Sequence, residues 1–419
     1  MKLTIEKMIY GGDGLSRLPT GKAVFLPFVL PGEEVEATVA EEKSGFARAT
    51  ATEILKPSAN RTVPACPYFG TCGGCHYQHV DYFGQLEIKR SVLRETLRRT
   101  AKLDWQTEIV THAAEPWNYR NRTRIKVRGG ADFSVGYYRL ASHDLLAVEQ
   151  CPISSPAINR ALAQLWQMGK AQHVPEGVEE IEFFANHDDS RLLVEIFGKA
   201  DAPIRWRFLK DLQAAIPELH GAGFFSPASG GPKLTEKIGE TFLVYKAGEK
   251  SFRVSLGSFF QTNRHLIGDL AITVAGDSHG KMALDLYAGA GLFASHLAAS
   301  FERVVAVEAS PESAGDLETN AEKNVSGVQS TAEQFLKKSA KLRPDLVVID
   351  PPRAGLGDRV TKLLAALQAP EIVYLSCDPA TLSRDLVVLV QSGYRVEEVH
   401  LFDLFPQTFH VESMVRLAR

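Results

Sequence analysis

Apolar and polar residues alternate with a period of two through Lys2–Ile9, Lys22–Phe28 and Glu33–Val39, and Gly11, Gly12, Gly14, Pro31 and Gly32 separate the runs. Short strands at this spacing predict a small β unit over residues 1–57, either a five-stranded barrel of the oligonucleotide-binding type or a structural β cap. Residues 58–80 show no period, and residues 82–103 read as one helix. Residues 118–255 mix short strands, turns and one or two helices in no order that names a fold. From 256 onward, strand, loop and helix repeat. The strand-like runs Met282–Leu286, Val304–Val307, Leu346–Ile349 and Ile372–Ser376 alternate with helical stretches, which predicts a doubly wound parallel sheet. The chain therefore reads as α/β in three parts: 1–57, a central 58–255, and 256–419. The helix at 82–103 is free to pack on the last of these.

Composition narrows the class. The 419 residues are 45% hydrophobic and 23% charged, with 47 Lys and Arg against 50 Asp and Glu. That is an ordinary globular balance, and its net charge of -3 argues against a uniformly basic nucleic-acid binder. Five cysteines, an odd number, argue against a secreted disulfide scaffold. Apolar runs such as Ala23–Leu30 fall short of the roughly 20 residues that span a membrane. The first residues lack the apolar core of a signal peptide. A cytoplasmic monomer is the expectation.

Three of the five cysteines, Cys66, Cys72 and Cys75, form a C-x5-C-x2-C string, and Cys151 follows downstream directly before Pro152. Four thiolates from two segments can close a metal site. The Pro-flanked fourth cysteine suits iron–sulfur ligation, but four sulfurs suit zinc as well. His76 and His79 add possible nitrogen ligands. Charge is also uneven. From Leu86 to Arg128 there are eleven basic and five acidic residues, a local +6. Arg90, Arg94 and Arg98 share a helix face, and Arg120, Arg122, Arg124, Lys126 and Arg128 alternate along a predicted strand. Five cations on one strand face repel one another and favour an anionic partner such as an RNA backbone.

The string Leu284–Gly291 follows a strand and precedes a helix, and its glycines permit close approach of a cofactor. Glu308 ends the next strand, where a carboxylate can accept hydrogen bonds from ribose. NAD and S-adenosylmethionine both fit this loop. The strand 346–349 ends in Asp350-Pro351-Pro352-Arg353. Its neighbour ends in Ser376-Cys377-Asp378-Pro379, which puts a thiol at the same sheet edge. Phe409–Val415 reads as a last strand with His410 and Glu412 on one face.

Jointly these motifs resemble the S-adenosylmethionine-dependent RNA (uracil-5-)methyltransferases over essentially the whole chain, closest to the bacterial 23S rRNA branch. The resemblance implies several assignments. Residues 1–57 would be an RNA-binding TRAM domain, and Cys66, Cys72, Cys75 and Cys151 would be ligands to a [4Fe–4S] cluster. Gln261, Tyr287, Glu308 and Asp350 would hold the cofactor, with Glu333 a looser match. Cys377 would be the nucleophile that adds to uracil C6, and Glu412 the base that removes the C5 proton. Phe260-Gln261-Thr262-Asn263 matches the family's Q-x-N element. Leu292 and Gln407 depart from the pattern: Leu292 replaces a small polar residue, and Gln407 stands where His is usual, which leaves His410 as a supporting candidate only. The alternatives are a tRNA T-loop methyltransferase, an NAD-linked zinc oxidoreductase, and an RNA-binding protein without activity.

Overall fold

The computed structural model describes residues 1–419. The N-terminal runs pair into a six-stranded sheet wrapped around its own core, in which Ile5, Val24, Leu26, Val29, Val35 and Ala47 are buried. Six strands form rather than five because the Lys2–Ile9 run breaks in two: Ile5 leaves the strand pattern to donate its N–H to the Glu33 carbonyl. The unit is tied to the next segment by Glu33. This fully buried carboxylate accepts from Arg61 Nε at 2.6 Å and from the Leu30 and Ser58 amides.

The central part is a seven-stranded sheet with the helices Pro156–Lys170 and Ala202–Ala215 over a core that includes Leu162, Ile181, Phe183 and Phe208. The last part is an eight-stranded sheet. Its order is Val325–Gln329, Phe301–Glu308, Gly280–Leu286, Leu346–Ile349, Glu371–Ser376, Glu412–Ala418, Arg395–Phe402 and Val110–His112. The first five strands run parallel, as the repeating pattern predicts, and Glu412–Ala418 enters antiparallel beside Glu371–Ser376. Apolar runs such as Leu346–Ile349 are buried throughout because helices cover both faces. No helix is long and apolar enough to cross a membrane.

Both borders of the central part differ from the sequence reading. The hairpin Phe242–Ala247 and Lys250–Ser255 lies before 256, yet Leu243, Tyr245, Phe252 and Val254 pack into the core of the C-terminal sheet. At the other border, the helix starts at Tyr82 as read, capped by the Asp81 side chain accepting from the Gly84 amide, and ends in a wider turn over Leu97–Ala101. Its Leu93 and Leu97 enter the C-terminal core, and Val110–His112 adds the edge strand. Residues 82–112 therefore belong structurally to the last part of the chain.

That helix is fastened by a buried ion pair. Lys89 Nζ lies 2.6 Å from Asp403 Oδ1 and also donates to the Phe405 carbonyl at 2.9 Å. Burial pulls the Lys89 ammonium below its ordinary range, and Asp403 opposes that pull. Removing one partner of such a pair leaves an uncompensated buried charge, at a cost of about 3–5 kcal/mol. Lys89→Met is expected to lower unfolding stability by that amount in urea titrations. Lys89→Met combined with Asp403→Leu is expected to recover a substantial part of it. A double variant as unstable as the single one would contradict this account.

Candidate active site and cysteine cavity

The parallel strands end in a crevice lined by Phe259, Gln261, Tyr287, Gly289, Leu292 and Asp350. Gln261 Nε2 donates to Asp350 Oδ2 at 3.0 Å. Glu308, at the end of its strand, accepts from the Gly289 amide at 2.9 Å and from the Ala309 and Ser310 amides at 2.7 Å, which aims it at the glycine loop. Tyr287 takes φ 64°, so the chain reverses sharply as it leaves the strand. Asp285 is fully buried one turn below, and its Oδ2 accepts the Ala294 amide at 2.9 Å. Glu333 does not line the crevice. It is part-exposed and held by Lys337 at 2.6 Å and Arg359 at 2.9 Å, so its carboxylate is satisfied at the surface.

The electrostatics of the crevice separate the two cofactors that the glycine loop left open. Burial pushes the Asp285 carboxyl well above its ordinary value, and Asp350 and Glu308 add to that rise. Burial likewise raises Asp350 to about 7, which the Gln261 hydrogen bond partly opposes. A site crowded with carboxylates at low solvent exposure stabilises a cation and repels an anion. This lining favours a sulfonium over the anionic pyrophosphate of a dinucleotide.

Cys377 follows the Glu371–Ser376 strand, and Asp378 caps the next helix by accepting from the Ala380 and Thr381 amides at 2.9 and 3.0 Å. The antiparallel register ends at Ser376 opposite Ser413, so Cys377, which follows the one, and Glu412, which precedes the other, lie at the same edge of the sheet. Ser413 Oγ donates to the Ser376 carbonyl at 3.2 Å and locks that register. The strand begins at Glu412 rather than at Phe409. His410 therefore lies in the preceding loop and does not share a strand face with Glu412. Burial pushes the Cys377 thiol up to about 12, Glu412 adds to this, and Arg353 opposes it. Burial and the neighbouring Asp350 push Glu412 well above the carboxylate range, again against Arg353. Burial holds His410 neutral, down to about 3.

The loop before Glu412 is bonded to distant segments at successive carbonyls. The carbonyls of Asp403 and Leu404 accept from Asn263 Nδ2 at 3.3 and 3.1 Å, and that of Pro406 from Tyr119 Oη at 3.0 Å. The Gln407 carbonyl accepts the His76 and Tyr77 amides at 2.8 and 2.9 Å, and its buried side chain pairs with Gln85. Gln407 is thus a joint between the cysteine loop, the 82–96 helix and the Glu412 loop. Neither this role nor the influence of Arg353 on both Cys377 and Glu412 was assigned from sequence. The Asp-Pro-Pro-Arg string was the only available signal for Arg353.

Cys66, Cys72, Cys75 and Cys151 line one small, mostly apolar cavity of about 60 Å³, together with Arg120 and Tyr137. All four are free thiols. The Gly74 amide points at Cys72 Sγ at 3.4 Å, and Asn159 pins Cys151 by bonding both its amide and its carbonyl. No three His, Cys, Asp or Glu side chains are arranged to hold a lone metal ion. Four thiols that share one cavity are a donor set that either an iron–sulfur cluster or zinc could use. His76 and His79 stay outside the cavity, and burial holds each neutral, at about 4.

The expected cationic strand differs from its sequence reading. Arg122 pairs with Glu182 and, at 3.2 Å, with Glu195; Arg124 pairs with Glu182 at 2.7 Å; and Lys126 pairs with Glu180. The register that sets Glu180 opposite Lys126 and Glu182 opposite Arg124 supplies the counter-charges from the adjacent strand. Arg120 precedes the strand and turns into the cysteine cavity, which leaves Arg128 as the exposed end of the row. The argument from mutual repulsion therefore fails for Arg122, Arg124 and Lys126.

The raised carboxyls carry a pH consequence. A group whose folded pKa exceeds its unfolded value contributes stability below the unfolded value, near 4, and that contribution is lost as pH climbs through the folded value, about 7 for Asp350. The ligand-free protein is expected to melt at progressively lower temperature from pH 5 to pH 8. In Asp350→Asn, whose amide can still accept from Gln261, this decline is expected to be shallower. Equal slopes in thermal melts of the two proteins would refute the assignment.

A profile described as tRNA (Uracil-5-)-methyltransferase matches residues 81–419, and a TRAM domain profile matches residues 1–52. The chain is 34% identical to an uncharacterized RNA methyltransferase of Aquifex aeolicus, covering 100% of this chain and 98% of that one. It is 31% identical to a 23S rRNA (uracil(1939)-C(5))-methyltransferase of Halomonas elongata, covering 99% and 89%. In fold it is similar to the crystal structure of the Pyrococcus abyssi tRNA (uracil-54, C5)-methyltransferase, with TM-score 0.78, 22% identity and full coverage of both chains. With a carboxylate-lined crevice, a thiol and a carboxyl joined at the edge of one sheet, and a profile match over four fifths of its length, the chain belongs to the S-adenosylmethionine-dependent RNA (uracil-5-)methyltransferase family.

Proposed function

We propose that the protein methylates C5 of a uridine in 23S rRNA, with Cys377 as nucleophile and Glu412 as base. The observation that carries this reading is the register that ends at Ser376 opposite Ser413 and so brings Cys377 and Glu412 to one sheet edge, within electrostatic reach of Asp350 in the crevice. The rRNA assignment is supported by the full-length likeness to the Halomonas enzyme. S-adenosylmethionine, when bound, supplies the methyl group from its sulfonium. Gln261, Tyr287, Glu308 and Asp350 would hold it, with Glu308 placed for the ribose and the Asp350 and Asp285 carboxyls favouring its positive charges.

Uracil C5 is a weak nucleophile. A bond from Cys377 Sγ to C6 converts the ring to an enolate, and C5 then takes the methyl group. Glu412 removes the C5 proton, the C6–S bond breaks, and Cys377 leaves as thiolate. The thiol is protonated at neutral pH in the ligand-free site, so ionisation depends on positive charge beside it. Arg353 already favours the thiolate, and a bound sulfonium adds to that. The uridine must be unstacked to reach this edge, at a cost of a few kcal/mol.

The four cysteines would hold a [4Fe–4S] cluster that staples the 66–75 loop to Cys151. Arg120, buried beside Cys151 and Cys75, would offset its negative charge. Arg128 is a candidate phosphate contact, and the paired Arg122, Arg124 and Lys126 serve chiefly to hold the strand.

Incubation with tritiated cofactor and separate rRNA and tRNA pools is expected to label 23S rRNA at C5 of uridine. Label confined to tRNA would overturn the substrate assignment. Cys377→Ala is expected to lose methyl transfer by at least about 1,000-fold while retaining RNA affinity. Glu412→Gln is expected to accumulate a protein–RNA adduct that survives denaturing gels, and rapid turnover in that variant would rule out its role as base. The anaerobically purified protein is expected to show iron, sulfide and a broad visible absorption, all lost in Cys151→Ala. Zinc in their place would replace the cluster assignment.

A further inference from the structure

The turn between the strands Lys7–Met8 and Gly14–Arg17 reaches from the N-terminal unit to the C-terminal part of the chain. Tyr10 Oη donates to Asp378 Oδ2 at 3.2 Å, and its other near contact is the Cys377 carbonyl at 3.5 Å. The Tyr10 ring stands edge-on to Phe409 at 5.5 Å, and Phe409 lies tilted against His410 at 4.4 Å and edge-on to His76 at 4.6 Å. Gly12 follows at φ 96°, and a Cβ there would sit 3.3 Å from the His76 Cβ and 3.5 Å from the Phe409 Cβ. The turn is pressed into the seam where the nucleophile turn, the Glu412 loop and the cysteine loop meet.

We infer that Tyr10 is a positioning residue for the methyl-transfer reaction: its hydroxyl fixes the Asp378 carboxylate and, through it, the turn that presents Cys377. The N-terminal unit thereby completes the active site as well as offering an RNA-binding surface.

The physical argument starts from Asp378. Its Oδ1 takes the Ala380 and Thr381 amides, and its Oδ2 takes Tyr10. The backbone on either side is closed by Ser376 Oγ, which donates to the Asp378 carbonyl at 3.0 Å and accepts the Asp378 amide at 3.2 Å. Cys377 lies between these anchors. Without the hydroxyl, Oδ2 loses its donor, the carboxylate turns more freely, and its unshielded charge disfavours a thiolate next to it. The Tyr10 ring packs against Phe409 independently of that hydrogen bond, so hydroxyl and ring can be tested separately.

This inference rests on Cys377 being the nucleophile, and the test keeps the two ideas apart. Cys377 alkylation by iodoacetamide, followed by peptide mass spectrometry from pH 6 to pH 10 without RNA, reads the thiolate directly. Steady-state methylation of transcribed 23S rRNA reads kcat and KM. In Tyr10→Phe, alkylation is expected to need higher pH, and kcat to fall by about tenfold, the weight of one hydrogen bond to a charged group, at unchanged KM for RNA. A rise in KM alone would make Tyr10 an RNA contact and overturn the inference, as would an unchanged alkylation profile. If Cys377→Ala of otherwise native sequence still methylates RNA, the nucleophile assignment itself fails, whatever Tyr10→Phe does.

Discussion

Desolvation of acidic groups at one edge of a parallel sheet governs this molecule. Asp285, Asp350 and Glu412 are each pushed upward first by burial, and so is the Cys377 thiol. Left alone, this edge favours neutral, protonated groups. Chemistry that needs a thiolate and a carboxylate base therefore depends on positive charge brought to the edge, and Arg353 is the side chain that opposes the rise of both Cys377 and Glu412. A cationic cofactor is then more than a reagent. A positive charge bound there would oppose the burial that raises the Cys377 thiol and the Glu412 carboxyl, so cation binding and ionisation at this edge are linked.

A site that depends on charges at short range must be held still, and the 403–411 loop shows how. A loop that carries buried carbonyls needs a donor for each, and here the donors come from Asn263, Lys89, Tyr119 and the His76 and Tyr77 amides. These donors lie in separate stretches of chain, some more than 300 residues away in sequence. The loop thus records the docking of the cysteine loop, the 82–96 helix and the central part at once. A cluster that staples residues 66–75 to Cys151 would stiffen the same network from behind the His76 and Tyr77 amides.

The parallel strands and the chemistry at their ends were legible in the sequence because they are local. Leu346–Ile349 is an apolar run that ends in Asp350, and Glu371–Ser376 ends beside Cys377. The motifs also carried the four cysteines to one cavity. What escaped was set by pairing across the chain. Five alternating cations look unopposed along the row from Arg120 to Arg128, yet Arg122, Arg124 and Lys126 meet counter-charges on a strand more than 50 residues later, at Glu180 and Glu182. The hairpin 242–255 reads as central by position and joins the C-terminal core by packing. Gln407, a departure from the family pattern, reads as a weakness. In the fold its side-chain oxygen accepts from Gln85 Nε2 at 3.0 Å and its backbone amide donates to Gln85 Oε1 at 2.9 Å, a pairing with a helix more than 300 residues earlier.

The parts of the chain are therefore less separable than their folds suggest. A turn from the first six strands touches the nucleophile turn, a helix from before the central part lies in the C-terminal core, and the loop before Glu412 is bonded to segments from both. Where RNA engages the N-terminal unit, any shift of that unit is transmitted to Asp378 and Phe409 through direct contact rather than through a linker. Contact of this kind couples the N-terminal unit to the Asp378 turn without a separate conformational device, because Tyr10 lies in the turn between two strands of that unit.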